Sequence, residues 1–160
     1  MAVSLDDMKL GEALTLRSQL LVRMQQVRER LKTSALVQEG ETPPEDPAQL
    51  LAEFDSMAGV LEQLIAAINR TNLATTLPSG ETLTDALARR DVLALRLGVA
   101  RQVADAGSER QPRYGRSEIR VLATVDVGAL RRRADELSRE RRELDAVIQQ
   151  TNWTTDLVEG

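Results

Sequence analysis

Apolar residues recur along four segments of the chain with the spacing of an amphipathic helix. Within each segment they lie three or four residues apart, so they share one face of a helix. The four stripes consist of Leu10, Ala13, Leu14, Leu20, Leu21, Met24, Val27 and Leu31; of Leu50, Phe54, Met57, Leu61, Leu64 and Ile68; of Leu83, Leu87, Leu93, Leu97, Ala100 and Ala104; and of Leu130, Ala134, Leu137, Leu144 and Ile148. The pattern predicts an all-α protein with four long helices.

Turn and capping residues separate these segments. The first helix is predicted over about residues 6 to 35, and the stretch QEGETPPEDP then interrupts it. Asp46 followed by Pro47 predicts an N-cap and first turn for the second helix, which should end near Asn72. After the turn LPSG, Thr82 and Asp85 have the spacing of a capping box for the third helix.

The last inter-helix segment combines a predicted strand with a predicted cap. Partial alternation and β-branched residues over Ile119–Val125 predict a short strand, and Asp126 then caps the fourth helix. We expect this strand to pair beside Val37, in the loop between the first two helices. A short β element in the inter-helix loops is therefore predicted.

The chain contains an internal repeat. The first and third helices match at an offset of 73 residues, and the second and fourth match at an offset of 80. The polar matches are the informative ones: Arg17 with Arg90, Asp46 with Asp126, Asp55 with Asp135, Thr71 with Thr151, Asn72 with Asn152, and Thr75 with Thr155. The repeat predicts one domain over residues 1–160, built as an antiparallel four-helix bundle from two helical hairpins, about 6–77 and about 79–157.

Polar residues should gather at one end of such a bundle. They are Arg17, Arg90, Asn69, Asn72, Asn152 and Trp153. One interpretation is structural: Asn72 and Asn152 close helices in the left-handed conformation, and Trp153 plugs the end of the bundle with its indole N–H bonded to a carbonyl. The other interpretation is a ligand-binding site in which Arg17 and Arg90 hold an anion, because a guanidinium beside an apolar stripe needs a partner.

A second candidate site lies in the loop before the predicted strand. Arg113, Arg116 and Arg120 surround Tyr114, which suggests an anion-binding loop with guanidinium forks and one stacking ring. The alternative is a solvated loop. The formal net charge of −4 argues against a nucleic-acid partner.

Composition excludes several classes of enzyme and cofactor site. The chain has no His and no Cys, which rules out His-dependent triads, thiolate nucleophiles and the usual zinc ligands. Glu12 and Asp85 with Asn69 or Asn72 would be the candidates for a carboxylate metal site, but acids in a first turn ordinarily stabilise helix starts. We therefore predict no catalytic residue, no metal and no cofactor.

The cellular location is predicted from the lack of membrane-spanning and signal-peptide patterns. The chain contains no run of 18 apolar residues, which is about the length needed to span a membrane. The acidic N-terminal stretch lacks the pattern of a signal peptide. The sequence thus predicts a cytoplasmic protein without a membrane partner.

Long strings of the chain also resemble a known family. VQEGETPPEDPAQLLAE, LINRTN, TLTDALARRDVL, RYGRSEIR, TVDV and RELDAVIQQTNWTTDL are similar to small helical bacterial proteins often labelled septicolysin. The resemblance covers nearly the whole chain. It assigns neither an activity nor catalytic residues to the protein.

Two functional hypotheses remain at this point. The first is a non-enzymatic helical protein whose long, coiled-coil-like helices self-associate into a homo-oligomer or bind another macromolecule that the sequence does not identify. The alternative is a small-ligand or anion-binding module that uses the polar bundle end or the Arg/Tyr114 loop.

Overall fold

Four helices account for most of the structure. The computed structural model describes residues 7–108 and 122–158. The helices are α1 (Leu10–Ser34), α2 (Pro47–Ala74), α3 (Leu83–Ser108) and α4 (Val127–Thr154). Within the described residues there is no strand or sheet, only two isolated β-bridges. The chain is therefore all-α, as predicted, and its four helices agree with the four-helix bundle class. None of the described helices is sufficiently long and apolar to cross a membrane.

Aspartate caps set the starts of α2 and α4, as the sequence predicts. The Asp46 carboxylate accepts a hydrogen bond from the Ala48 N–H at 2.9 Å. The Asp126 carboxylate accepts one from the Ala129 N–H at 2.8 Å. Each carboxylate satisfies a first-turn N–H that has no partner within the helix. Both predicted caps are confirmed.

The other two helices start close to their predicted positions. α3 begins at Leu83, directly after Thr82. α1 begins at Leu10, later than the predicted residue 6. There the Lys9 N–H donates to the Glu12 carboxylate at 2.7 Å, so this first-turn acid supports the start of the helix.

The predicted β element is wrong wherever the structure describes it. Residues 122–125 form no strand, and neither do residues 36–38 in the loop after α1; residues 119–121 lie outside the described residues. The Val125 side chain instead packs at the end of α3, where a Cβ added to Gly107 would lie 3.0 Å from its Cγ2.

The described residues form two compact units. The first is drawn from Met1–Thr82 and Gln149–Gly160. In it α1 and α2 form an antiparallel hairpin, with Arg23 paired to Glu53 and Arg30 paired to Glu45. Its core includes Val27, Leu50 and Met57, with Leu20, Met24, Leu31 and Phe54 packed around them.

The second unit comprises Leu83–Ile148. Here α3 and the part of α4 up to Ile148 run antiparallel. The Arg131 guanidinium donates to the Ser108 hydroxyl at 3.0 Å near one end, and Arg90 lies 3.8 Å from Asp145 near the other. Apart from Ala86, every buried apolar residue of this unit belongs to a predicted stripe. They are Leu83, Leu93, Leu97, Ala100, Ala104, Ala134, Leu137, Leu144 and Ile148.

α2 and α4 end in the same way. The Thr75 N–H donates to the Thr71 carbonyl, and the Thr155 N–H donates to the Thr151 carbonyl, both at 2.9 Å. Thr75 then leaves α2 with an extended backbone. The predicted left-handed asparagine caps are wrong, since Asn72 and Asn152 lie within the helices and Asp7 is the only described non-glycine residue with positive φ.

A pair of backbone contacts follows each of these helix ends, and both pairs lie in the first unit. After α2, Thr76 bridges to Thr82 and the Leu77 N–H donates to the Glu81 carbonyl at 2.9 Å. After α4, Asp156 bridges to Lys9 and the Leu157 N–H donates to the Met8 carbonyl at 2.8 Å. The offsets of 80 and 73 residues relate each contact of one joint to a contact of the other. We call these the turn joint and the terminal joint.

Candidate functional site

The residues of the predicted polar cluster are divided between the two units, and their convergence into one site stays a prediction. Arg17, Asn69, Asn72, Asn152 and Trp153 belong to the first unit, whereas Arg90 belongs to the second. Asn152 is buried, Asn72 is half-buried and Asn69 is exposed. Within the described residues, no hydrogen bond joins the Arg17 side chain to any of these asparagines.

The two repeat-related arginines have different surroundings. The Arg90 guanidinium donates to the Asp91 carboxylate at 3.0 Å and lies 3.8 Å from Asp145. Arg17 is half-buried, and the described residues offer it no ion pair. Only Arg90 therefore has the acidic partners that a guanidinium beside an apolar stripe needs.

Trp153 is not the buried plug that the sequence suggested. Its side chain is 55% exposed. One face of the indole covers Gly11, because a Cβ added there would lie only 2.8 Å from the ring carbons Cδ2 and Cε3. Close by, the Leu10 N–H donates to the Thr155 carbonyl at 2.9 Å, and the Lys9 ammonium donates to the Asp156 carboxylate. The indole is therefore held on one face and open to solvent over much of the other.

The remaining predicted sites are an anion-binding loop and a carboxylate metal site. Arg113, Tyr114, Arg116 and Arg120 all lie outside the described residues, so the anion-binding loop stays a prediction. Among the residues that are described, no three acidic side chains lie close enough together to hold a metal ion.

An exposed apolar face on α2 is the feature that the sequence reasoning missed. Leu51 is 53% exposed and Ile65 is 41% exposed, although both are apolar residues within α2. A shallow, open depression of about 470 Å³ follows this surface, lined by Ala58, Leu61, Glu62, Ile65, Ala66 and Asn69. We call the surface formed by these six residues and Leu51 the α2 outer face.

A sequence signal for this face was available. Leu51, Ala58 and Ile65 are spaced seven residues apart, which forms a second apolar row beside the buried row of Leu50, Met57 and Leu64. Two adjacent heptad rows are typical of a helix that packs on two sides. The predicted stripe of this helix contains the first row and leaves out the second.

Charged residues border the α2 outer face in a polarised order. Along α2, Asp55 and Glu62 precede Arg70, which lies near the end of the helix. All three are exposed, and none forms an ion pair within the described part of the chain. The face therefore combines an open apolar row with acidic and basic groups that have no partner there.

The ion pairs of the α1–α2 hairpin, by contrast, hold the fold itself. A hydrogen bond from the Arg30 guanidinium keeps the pKa of Glu45 below its usual value, against a smaller opposing effect of burial. In the same way, the Lys32 ammonium lowers the pKa of Glu29. The Arg30–Glu45 pair joins α1 to the segment before α2, whereas the Lys32–Glu29 pair lies within α1. Their lowered pKa values keep both carboxylates ionised at neutral pH, unlike the raised pKa of a general acid.

Comparison with known proteins gives a family and a structural relative. The model of a family of unknown function, DUF6847, matches residues 17–157. The chain is also similar to the crystal structure of a functionally unknown conserved protein from Corynebacterium diphtheriae, with a TM-score of 0.89 and 40% sequence identity. That match covers 94% of this chain and 99% of the other. A comparison with curated proteins found no match.

The family match extends from within α1 to beyond the end of α4, and the structural match covers nearly all of both chains. The septicolysin resemblance is not reproduced by these comparisons and stays a prediction. The chain belongs to the DUF6847 family of unknown function.

Proposed function

We propose that the protein is a non-enzymatic helical protein that self-associates through the α2 outer face. The observation that carries the proposal is the exposure of Leu51 and Ile65 on one row of a long helix, beside a shallow apolar depression. Burying apolar surface stabilises an interface by roughly 25 cal/mol per Å². A contiguous apolar face of this kind is typical of protein–protein contact sites.

A second copy of the chain is the occupant that this face favours. Its apolar row matches an identical row, and its unpaired acidic and basic groups can satisfy one another across a symmetric contact. The absence of His and Cys from the chain agrees with a non-enzymatic role.

Sedimentation equilibrium tests the proposal, with one charged substitution on each of two exposed surfaces. Ile65→Glu places a carboxylate in the middle of the α2 outer face and should convert a dimer into a monomer. Leu95→Glu on α3 is the matched control. Leu95 is 70% exposed, but it belongs to another helix and to the second unit. We expect the control to keep the mass of the unmodified protein.

Two outcomes would overturn self-association through α2. The unmodified protein could be a strict monomer at high micromolar concentration, or Leu95→Glu could dissociate it while Ile65→Glu does not. Circular dichroism of each variant confirms that its helices are intact, so that a change in mass reports on the contact alone.

Anion binding at Arg17 is a second candidate function. The observation in its favour is the contrast with Arg90: Arg17 is half-buried and has no carboxylate partner in the described residues, whereas Arg90 has two nearby. A desolvated guanidinium without a partner is a recognised anion site.

Thermal shift measurements with inorganic phosphate and sulfate test this candidate. We expect stabilisation that is lost in Arg17→Gln and kept in Arg96→Gln, because Arg96 is an exposed arginine with the same charge. No stabilisation of the unmodified protein by millimolar anion would exclude the candidate.

A further inference from the structure

We infer that two copies of the chain pair antiparallel along α2, with Ala66 next to the twofold axis and Glu62 of each copy level with Arg70 of the partner subunit. This inference rests on the proposed self-association and adds its direction and register. Four observations on the α2 outer face and its border carry it: the order of the charges, their spacing, an open glycine and the position of Ile65.

The order of charges selects the antiparallel direction. Asp55 and Glu62 precede Arg70 along the helix, and all three are exposed without ion pairs in the described residues. A parallel, in-register pair would place each of these groups beside its own copy, so like charges would face each other. An antiparallel pair can place Glu62 of each copy beside Arg70 of the partner subunit, and it also opposes the two helix dipoles.

The spacing of the charges selects the register. Glu62 and Arg70 each lie four residues from Ala66, which is about 6 Å along the helix. A twofold axis at Ala66 brings residues equally distant from it to the same level on the two helices. Each Glu62 then lies level with one Arg70, and the dimer gains two equivalent ion pairs.

Gly59 and Leu73 fit the same register independently. Each lies seven residues from Ala66, so the same axis places Leu73 of one copy level with Gly59 of the other. Leu73 is 67% exposed. A Cβ added to Gly59 would meet no atom within 4 Å, so the surface over this glycine is open. A projecting leucine thus meets a position without a side chain.

The apolar row completes the contact near the axis. Ile65 adjoins Ala66, so the two copies of Ile65 come close to each other across the axis. Ala66 itself has only a methyl group, which lets the two helices approach closely. Ile65 should therefore contribute most of the apolar burial, which agrees with its choice as the test position above.

Disulfide trapping tests the direction, because the chain contains no cysteine of its own. Ala66→Cys should form a disulfide-linked dimer readily on mild oxidation, since its two copies meet at the axis. Leu51→Cys, exposed on the same face, is the matched control. It lies 15 residues from the axis, so its two copies are about 45 Å apart in the antiparallel pair and should not link.

A charge exchange tests the register. Glu62→Arg and Arg70→Glu should each weaken dimerisation by about tenfold, because each places two like-charge pairs in the contact. The double exchange Glu62→Arg/Arg70→Glu should restore the affinity of the unmodified protein. Sedimentation of the three variants gives the dissociation constants.

The outcomes separate this inference from the proposed function. A strict monomer overturns both. A dimer in which Leu51→Cys links as readily as Ala66→Cys is parallel, which overturns the inference and leaves self-association standing. A dimer in which the double exchange fails to recover, or in which Ala66→Cys does not link, overturns the register in the same way. Linking at Ala66→Cys alone, with recovery in the double exchange, supports the full arrangement.

Discussion

Gly11 and Trp153 form a complementary pair at the scale of single residues. The indole ring occupies the space that a side chain at position 11 would fill. The repeat offsets relate this pair to Thr84 and Leu73, so a larger residue on one helix coincides with a smaller residue on the other. The close contact explains why a glycine is present in the first turn of α1, where it is otherwise unfavourable.

The effect of Gly11→Ala on the free energy of unfolding should therefore have opposite signs with Trp and with Leu at position 153. In the unmodified protein the added methyl meets the indole ring, and overpacking should lower the free energy of unfolding by about 1 kcal/mol or more. In a Trp153→Leu background the contact is relieved, and the better helix propensity of alanine should raise the free energy of unfolding by about 0.5–1 kcal/mol. Urea unfolding of the four proteins measures both effects, and the same sign in both backgrounds would contradict the contact.

The carboxyl group of Glu45 should report its ion pair through its titration. The hydrogen bond from Arg30 lowers the pKa of Glu45 in the folded protein below the unfolded value. The resulting stabilisation is complete above the unfolded pKa and is lost as the pH falls through the folded pKa. NMR titration should show the pKa of Glu45 rising toward its ordinary value in Arg30→Gln. Lys32→Gln is the control, since that lysine contacts Glu29, and it should leave Glu45 unchanged.

At the scale of elements, the starts of α2 and α4 are each set by one aspartate side chain. Asp46 and Asp126 occupy equivalent positions in the repeat, and each accepts a hydrogen bond from a first-turn N–H. The helix stripes alone place the ends of the helices only approximately, and these caps fix them.

Removing either cap should cost a similar amount of stability. Asp46→Ala and Asp126→Ala should each lower the free energy of unfolding by about 0.5–2 kcal/mol, while the Asn variants should lose much less because asparagine also caps well. Chemical denaturation followed by circular dichroism measures the difference. An alanine variant as stable as its asparagine counterpart would show that the observed hydrogen bond contributes nothing.

The elements also show how far the sequence could predict the structure. The four helices follow from local periodicity and caps, which short segments encode on their own. The exposure of Leu21, at 49%, could not be read from spacing, because neighbouring Leu20 fits the same stripe and only tertiary packing decides between them. The convergence of the polar cluster depends in the same way on side-chain packing, which short segments do not encode, so it stays a prediction.

At the scale of the whole chain, the turn joint and the terminal joint have matching bridges and hydrogen bonds. We propose that they reflect a duplicated helical hairpin. In the turn joint the two paired segments are covalently continuous through Pro78, Ser79 and Gly80, and Gly80 has the positive φ that a turn of this kind requires. In the terminal joint only non-covalent contacts hold the segments, including a hydrogen bond from the Val158 N–H to the buried Thr71 hydroxyl at 2.8 Å.

A circular permutant should therefore keep the fold. The permuted chain begins at Gly80, ends at Ser79 and joins residue 158 to residue 7 through a short glycine-rich linker. Its terminal joint is then covalently continuous, and its turn joint is held by non-covalent contacts alone. We expect circular dichroism to show unchanged helix content, with cooperative unfolding. As a control, opening the chain inside α2, at Gly59, should greatly reduce stability because it cuts a helix whose neighbours are buried. Loss of folding in the first permutant alone would refute the equivalence of the joints.

The terminal joint also determines how the protein responds to mechanical load. Met8 pairs with Leu157 and Lys9 pairs with Asp156 in an antiparallel arrangement, so the segments that precede Met8 and follow Leu157 lie on the same side of the contact. A force that pulls the two ends apart loads these bonds one after another, as in opening a zipper, and does not shear them together. The joint should thus open at low force, before either helical hairpin is strained.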